Sequence, residues 1–233
     1  MEIRIPAVRI WIWLKRIRHR KGYGVHSPFA FNLITWVIHE KYPYYKYAGL
    51  DKIRKSLIDR KAKRYLNRPE IDRLLFRLVN RMQPDTIIET GTLTGLTTLY
   101  LAGGRENAVC HTFDEESGNE FTTEVLFKGK ENIRYHKGNL LVSLIAVLSS
   151  VASVDFLYIN EETPVELVFE ACLEKVTENS LFIIQGIYRS ERKKRWWQKI
   201  VADERTGITF DLYDVGLVFF DKRKIKQHYL VNF

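Results

Sequence analysis

The pattern of apolar and polar positions changes near residue 85. Over residues 69–82, apolar side chains recur every three or four positions, which predicts an amphipathic helix. Beyond residue 85, short runs rich in β-branched and aromatic residues alternate with helical patterns. Because parallel strands are joined by helical crossovers, this alternation predicts a doubly wound α/β fold.

The predicted sheet is Rossmann-like, mostly parallel and seven-stranded. Its strands cover residues 86–88, 108–113, 133–136, 154–160, 180–185, 209–213 and 216–221. The helices between them cover residues 96–102, 120–130, 140–150, 164–176 and 191–205. The last two strands are joined only through Asp214, so we expect an antiparallel strand at the C-terminal end of the sheet. Residues 228–233 are a further candidate for an edge strand.

The residues before the sheet are predicted to form a helical extension. Residues 6–20 have the pattern of a basic amphipathic helix that carries Trp11 and Trp13. Ser27 followed by Pro28 is typical of a helix start, and residues 50–66 predict a strongly basic helix. We therefore divide the chain into a basic N-terminal extension, residues 1–68, and an α/β domain, residues 69–233.

Charge is distributed unevenly along the chain. The formal net charge is +9, but residues 1–81 carry +14 and residues 82–233 carry −5. Tryptophan interleaved with Arg and Lys is typical of helices that lie on membranes, so we expect residues 1–21 to dock an anionic membrane surface. Nucleic acid is the less favoured partner, because no known binding motif accompanies the charge. The alternative is that Trp11 and Trp13 pack on the domain and leave solvated charges.

Membrane-spanning and disulfide signals are both missing from the sequence. No apolar run approaches the ~20 residues that cross a bilayer, and no signal-peptide pattern is present. Cys110 and Cys172 form no Cys-x-x-Cys pair, and no clustered histidines accompany them, so neither a disulfide scaffold nor a zinc site is expected. We expect a cytoplasmic protein, peripheral to the membrane if residues 1–21 bind it.

The segment from residue 86 to residue 102 has the pattern of a strand, a turn and a helix. Gly91 and Gly95 lie in the turn, so neither the Gly-x-Gly-x-x-Gly dinucleotide fingerprint nor a phosphate-binding P-loop is present. In an open α/β sheet, ligands bind at such a turn, outside the carboxyl end of a strand. The alternative is an ordinary strand–turn–helix unit that ends its strand with Glu89.

An acidic residue also ends the second predicted strand. Nucleoside-binding α/β folds hold ribose hydroxyls with such a residue, which makes Asp114 the ribose candidate. Glu115 and Glu116 are competitors, and the alternative is a solvated acidic turn.

The pattern Glu89-x-Gly91-Thr92-x-x-Gly95-x-Thr97 resembles the first motif of class I S-adenosylmethionine-dependent methyltransferases, and it is most similar to the small O-methyltransferase branch. The element order is similar over residues 70–221. A group of short bacterial methyltransferase-like proteins is similar in addition at Val25-His26-Ser27-Pro28-Phe29 and over residues 212–220. The resemblance implies S-adenosylmethionine as the cofactor and a set of residues that bind it: Glu89, Gly91, Thr92, Gly95, Asp114, Asn139 and Asn160.

The resemblance also shows what this chain lacks. Metal-dependent members of that family bind a divalent cation through carboxylates at the end of the fourth strand and after the fifth, where this chain has Asn160, Gln185 and Gly186. Magnesium and calcium prefer carboxylate oxygens, and Glu161 or Glu162 would replace them only in part. We therefore expect no catalytic metal.

Methyl transfer without a metal needs a positioned acceptor and a base, because the cofactor carries the reactive methyl group. No spacing identifies the base among the candidates for the crevice, which are His26, Tyr158, Glu161, Glu162 and Tyr188. One hypothesis is a metal-independent methyltransferase acting on a small molecule or a surface glycolipid-type acceptor. The other is a non-catalytic binding protein on a methyltransferase fold.

Overall fold

A computed structural model describes residue 16 and residues 24–59, 62–115 and 123–233. The predicted helix over residues 6–20 therefore lies outside the described residues, except for Arg16. Glu116 and the first residues of the predicted helix 120–130 also lie outside them.

The described residues form eight α-helices. They are α1 (Pro28–Leu33), α2 (Tyr47–Asp59), α3 (Pro69–Met82), α4 (Leu96–Gly104), α5 (Thr123–Phe127), α6 (Leu140–Ser150), α7 (Val165–Leu173) and α8 (Glu191–Ala202). A π-helical turn, Ile34–Ile38, continues α1, and a 3-10 turn, Ala62–Tyr65, follows α2. The single basic helix predicted over residues 50–66 is thus wrong in its bounds, since α2 begins earlier and a separate turn completes the segment.

The predicted start of α1 is confirmed. Ser27 is the N-cap, and its hydroxyl oxygen accepts a hydrogen bond from the backbone N–H of Ala30 at 3.4 Å. Pro28 occupies the first helical position, where its missing N–H leaves no hydrogen bond unmade.

The strands join in one sheet. They are β1 (Thr86–Thr90), β2 (Val109–Asp114), β3 (Ile133–Lys137), β4 (Phe156–Ile159), β5 (Leu181–Gln185), β6 (Thr209–Asp211), β7 (Val215–Phe219) and β8 (His228–Leu230). Their order is β3-β2-β1-β4-β5-β7-β6-β8. Neighbours among β1 to β5 pair parallel, and β7 pairs antiparallel with both β5 and β6, which confirms the mixed sheet.

The predicted number of seven strands is corrected to eight. The tail supplies the additional strand, because β8 pairs parallel with β6 at the outer edge of the sheet. Both edges of β7 are already paired, with β5 and with β6, so the free edge of β6 is the one that β8 joins.

Helices cover both faces of the sheet. Successive strand residues point to opposite faces, so Ile87 packs with α1 to α4, whereas Ile88 packs with α6 to α8. Residues of α1 and α2 thus share a hydrophobic cluster with β1, while the domain division at residue 68 stays a prediction. None of the helices in the described part of the chain is long and apolar enough to cross a bilayer.

The strand order creates a crevice between β1 and β4. The chain leaves β1 toward β2 on one side and later returns to β4 on the other side. Such a topological switch point separates the loops at the carboxyl ends of the two strands, and ligands bind there in open α/β sheets.

Candidate functional site

Two glycines shape the turn after β1. Gly91 and Gly95 adopt left-handed conformations with φ of +83° and +76°, which side chains disfavour. A Cβ atom on Gly91 would lie 2.7 Å from the Cβ of Asn160, and one on Gly95 would lie 2.6 Å from Cγ2 of Thr123. Glycine is therefore required at both positions by backbone conformation and by close packing.

The turn after β1 is held against the end of β2. The backbone N–H groups of Gly91 and Thr92 both donate to the carbonyl oxygen of Phe113, at 2.9 and 3.1 Å. The hydroxyls of Thr92 and Thr112 add a hydrogen bond of 2.7 Å. These contacts place the turn beside Asp114, the last residue of β2.

The loops after β3 and β4 reach the same edge of the sheet. Gly138 donates its N–H to the carbonyl oxygen of Asp114 at 3.0 Å, which brings Asn139 close to the end of β2. Asn160 donates its backbone N–H to the carbonyl oxygen of Thr90 at 3.2 Å. The structure thus brings six of the seven predicted cofactor residues to one edge of the sheet, and their binding role stays a prediction.

Two of these side chains also stabilise their own loops. Asn139 is the N-cap of α6, and its side-chain oxygen accepts from the N–H of Val142 at 3.1 Å. The side-chain oxygen of Asn160 accepts from the N–H of Glu162 at 3.0 Å.

Glu89, the seventh residue, lies beneath this edge and is fully buried. One carboxylate oxygen, Oε2, accepts hydrogen bonds from the hydroxyls of Thr98 at 2.5 Å and Thr112 at 2.8 Å. The other oxygen, Oε1, has no hydrogen-bond partner among the described residues. Burial raises the pKa of Glu89 to about 8, because the charged form loses its hydration.

A polar network that the sequence does not predict links β4 and β5 to the segment before α3. The side-chain amide nitrogen of Asn67 lies 3.0 Å from oxygens of Asp72, Thr97 and Tyr158. Its carbonyl oxygen accepts from the amide of Gln185 at 2.6 Å, and the Tyr158 hydroxyl donates to Gln185 Oε1 at 2.5 Å. The network therefore connects the segment before α3 to two strands of the sheet.

A buried ion pair supports the network from α2. The Arg54 guanidinium pairs with Asp72 and donates to the backbone carbonyl oxygen of Asn67 at 2.7 Å. Asp72 shares a helical face with Leu75 and Val79 in α3, so a carboxylate on an apolar stripe was the available sequence signal. Asn67 and Gln185 offered no such signal.

Two of the candidate bases are committed to other contacts. Tyr158 is fully buried within the polar network, so the expectation that it faces the crevice is wrong. The hydroxyl of Tyr188 donates to Asp211 Oδ2 at 2.5 Å, and burial first, then this hydrogen bond, raises the pKa of Tyr188 to about 12.

The remaining candidates differ in position. His26 and Glu162 are exposed. Glu161 lies over Gly186, where a Cβ atom would come within 2.5 Å of Glu161 Oε2. The side chain of Glu161 is 25% exposed, and its carboxylate lies 3.9 Å from Nε of Arg189. Glu161 therefore presents a partly accessible carboxylate at the carboxyl ends of β4 and β5.

The positions that hold metal ligands in metal-dependent members of the resembled family are occupied here by residues that cannot supply carboxylates. Both ends of the Gln185 amide are hydrogen-bonded within the polar network, and Gly186 has no side chain. Among the described residues, no group of three or more His, Cys, Asp or Glu side chains has the arrangement of a metal site. The donor set at this edge does not fit a divalent cation.

Comparison with known proteins gives similarity in structure only. Neither a protein-family model nor a curated protein matches the sequence. The structure is similar to an O-methyltransferase from Bacillus cereus solved in complex with SAH, with a TM-score of 0.62 and 18% identity over 79% of this chain and 95% of that one.

Two further solved structures are similar over most of their length. The O-methyltransferase TomG from Streptomyces achromogenes, in complex with SAM, has a TM-score of 0.60 and 15% identity over 73% of this chain and 88% of that one. The SAH-bound methyltransferase PaMTH1 from Podospora anserina has a TM-score of 0.59 and 10% identity over 84% of this chain and 96% of that one. The chain thus has the fold of class I S-adenosylmethionine-dependent O-methyltransferases.

Proposed function

We propose that this protein is an S-adenosylmethionine-dependent methyltransferase that acts on a small molecule without a metal. The observation that carries the proposal is the left-handed Gly91 packed against Asn160 at the switch point between β1 and β4. The similar structures from B. cereus and S. achromogenes, crystallised with SAH and SAM, support the choice of cofactor.

The residues at the site fit this cofactor in two respects. Gly91 and Gly95 give the turn a left-handed backbone that packs closely on Asn160 and Thr123, at the edge of the sheet where ligands bind in open α/β folds. Glu89 Oε1 is a buried oxygen without a partner among the described residues, and a hydrogen-bonding group of a ligand would satisfy it. When bound, S-adenosylmethionine supplies an activated methyl group. Gly91, Thr92 and Gly95 would hold its methionine part.

The rest of the cofactor would lie along the ends of β2 and β3. Asp114 would hold the ribose hydroxyls, Asn139 would contact the adenine, and Asn160 would border the cofactor from β4. Asp114 and Asn139 are adjacent through the Gly138 to Asp114 hydrogen bond of 3.0 Å, as one nucleoside requires.

Glu161 is the residue we assign as the base. Its carboxylate is partly accessible at the carboxyl ends of β4 and β5, whereas Tyr158 and Tyr188 are held in hydrogen bonds. A carboxylate is a weak base, and no metal would acidify the acceptor, so the acceptor must itself be acidic. A phenol or a carboxylic acid meets this requirement better than an alkyl alcohol.

Titration calorimetry with S-adenosylmethionine and its demethylated product tests the cofactor assignment. We expect Gly91→Ala to abolish binding, because the new methyl group would meet Asn160 at 2.7 Å. Gly129→Ala is the matched control, since Gly129 has a similar φ of +77° but nothing within 4 Å of its Cβ position. Absence of binding to the folded wild type would overturn the proposal, and so would equal loss in both variants.

A non-catalytic binding protein is the second candidate. It is supported by Asn160, Gln185 and Gly186 at positions where metal-dependent relatives of this fold carry carboxylates. Incubation of a cell extract with methyl-labelled cofactor distinguishes the two. A labelled product that depends on the wild-type protein and is lost with Gly91→Ala would exclude the non-catalytic candidate.

The basic N-terminal residues are assigned on composition alone. We infer that residues 1–21 dock an anionic membrane surface and that the protein is cytoplasmic and peripheral to that membrane. Stronger sedimentation with anionic than with neutral vesicles, lost on removal of residues 1–20, is the expected result. Tighter binding to oligonucleotides than to anionic vesicles would contradict it.

A further inference from the structure

A cavity of about 550 Å³ opens at the edge of the sheet opposite the crevice. It lies between the start of α2, the end of α4 and the start of β3. Helix α4 begins at the carboxyl end of β1 and runs back along the sheet, so its last residues mark the amino-terminal edge. The volume is in the range of small-molecule sites, and the cavity is separate from the proposed cofactor site.

The apolar walls of this cavity are aliphatic. Its apolar lining consists of Leu50, Ile53, Leu99, Ala102, Leu126 and Ile133. None of the described residues that line it is aromatic. Branched aliphatic side chains without a ring to stack on a flat ligand suit a flexible alkyl chain.

A glycine keeps one wall open. Gly49 lies in the first turn of α2, and a Cβ atom there would have nothing within 4 Å. Its φ lies outside the left-handed region, so the backbone does not require glycine. Alanine is favoured over glycine within a helix, and the packing would accept it. The absence of a side chain at Gly49 therefore adds space to the cavity and serves no other visible purpose.

Four charged residues also line the cavity, namely Lys46, Lys130, Glu106 and Glu131. Lys46 Nζ lies 2.6 Å from Glu106 Oε1 and donates to the carbonyl oxygen of Gly103 at 2.9 Å. The hydrogen bond and charge of Lys46, and then the charge of Lys130, lower the pKa of Glu106. The side chain of Glu106 is 73% exposed, so it can leave Lys46 without uncovering a buried charge.

We propose that this cavity binds a single-chain aliphatic amphiphile with an anionic head, such as a fatty carboxylate. The alkyl chain of the ligand lies among the leucine and isoleucine side chains. Its anionic head group replaces the carboxylate of Glu106 beside Lys46 and Lys130. Apolar burial supplies most of the affinity, and the lysines select the sign of the head group.

Methyl NMR of the full-length protein with decanoate tests this site. Decanoate is expected to shift the methyl signals of Ile53 and Ile133, whereas decyltrimethylammonium, with the same chain length and a cationic head, is expected to shift them only at a much higher concentration. Lys46→Gln should weaken decanoate binding about tenfold, because a charged hydrogen-bond donor to the head group is replaced by a neutral one. Glu106→Gln should strengthen it by removing the competing carboxylate.

Leucine substitutions at two adjacent residues test where the alkyl chain of decanoate binds. Gly49→Leu fills the cavity and should abolish decanoate binding. Ala48→Leu adds a side chain at the next exposed position, which lines a different cleft, and should leave binding unchanged. Equal binding of the anionic and cationic amphiphiles would overturn the proposal. Decanoate binding that survives in Gly49→Leu would also overturn it.

Discussion

Replacing Arg54 with methionine removes the only cation in direct contact with Asp72 among the described residues. The side chains of Arg54 and Asp72 are 9% and 0% exposed. In Arg54→Met, the Asp72 carboxylate keeps only neutral hydrogen-bond donors, Asn67 at 3.0 Å and Thr97 at 2.9 Å. The backbone carbonyl oxygen of Asn67 also loses its hydrogen bond from Arg54. Methionine retains most of the apolar packing, so the change isolates the charge.

The expected cost follows from this burial. Removing one partner of a buried ion pair costs about 3–5 kcal/mol, because the other charge stays buried. A domain of this kind is stable by about 5–15 kcal/mol, so the variant should remain folded with a reduced margin. For an m value of about 4 kcal/mol/M in guanidinium chloride, the unfolding midpoint should fall by roughly 1 M.

The loss of unfolding free energy in Arg54→Met should also grow as the pH rises. Burial raises the pKa of Asp72 in the folded protein despite Arg54, and loss of the arginine raises that pKa further. A carboxyl group whose folded pKa exceeds its unfolded pKa stabilises the protein below the unfolded pKa, and this contribution is lost as pH rises. Arg54→Met should therefore be closest to the wild type near pH 4.

Equilibrium unfolding followed by fluorescence and circular dichroism measures these differences. Arg205→Met is the matched control, since Arg205 is 54% exposed in a surface ion pair, and it should cost less than about 1 kcal/mol. Arg54→Met combined with Asp72→Leu should recover much of the loss, because apolar replacement of a buried pair is often neutral. A loss below about 1 kcal/mol in Arg54→Met, or no recovery in the double variant, would refute this reasoning.

Two further predictions concern single buried positions. The folded pKa of Glu89 is about 8 against an ordinary value of 4.5, so the free energy of unfolding should fall from pH 5 to pH 8 by up to about 1.4 kcal/mol per pH unit. Glu89→Gln should lack this pH-dependent loss. Parallel pH profiles of the two proteins would contradict the assignment. Gly104→Ala should destabilise by about 1–3 kcal/mol in thermal unfolding, because its Cβ would lie 2.7 Å from Val79 Cβ. Gly103→Ala, whose nearest contact would be 3.5 Å, should cost little, and equal losses in both would refute the packing argument.

The strand and helix pattern could be predicted because periodicity is a local property. Helix α3 occupies the predicted residues 69–82, and the crossover helices and parallel strands follow the predicted order. The placement of β8 could not be predicted, because it depends on which edge of the finished sheet is free. The bounds of α2 also differ, since the basic composition of residues 50–66 carries no signal for the end of the helix.

The candidate site could be predicted where chemistry follows the strand ends. Gly91, Asp114 and Asn160 meet because parallel strands end at a common edge. The polar network could not be predicted, because Asn67 and Gln185 are unremarkable polar residues until the fold brings them together. The prediction that Tyr158 faces the crevice is wrong for the same reason, since strand alternation alone does not reveal that its hydroxyl lies in that network.

The polar network also sets an order for events during synthesis of the chain. Arg54 and Asp72 are 18 residues apart, so their pair can form as soon as α3 leaves the ribosome. Asn67 and Gln185 are 118 residues apart, and a ribosome adding about 5–20 residues per second needs roughly 6–24 s to supply the second partner. Until then, the side-chain carbonyl oxygen of Asn67 must stay hydrated. A chain that stops before β5 therefore lacks the group that closes the network.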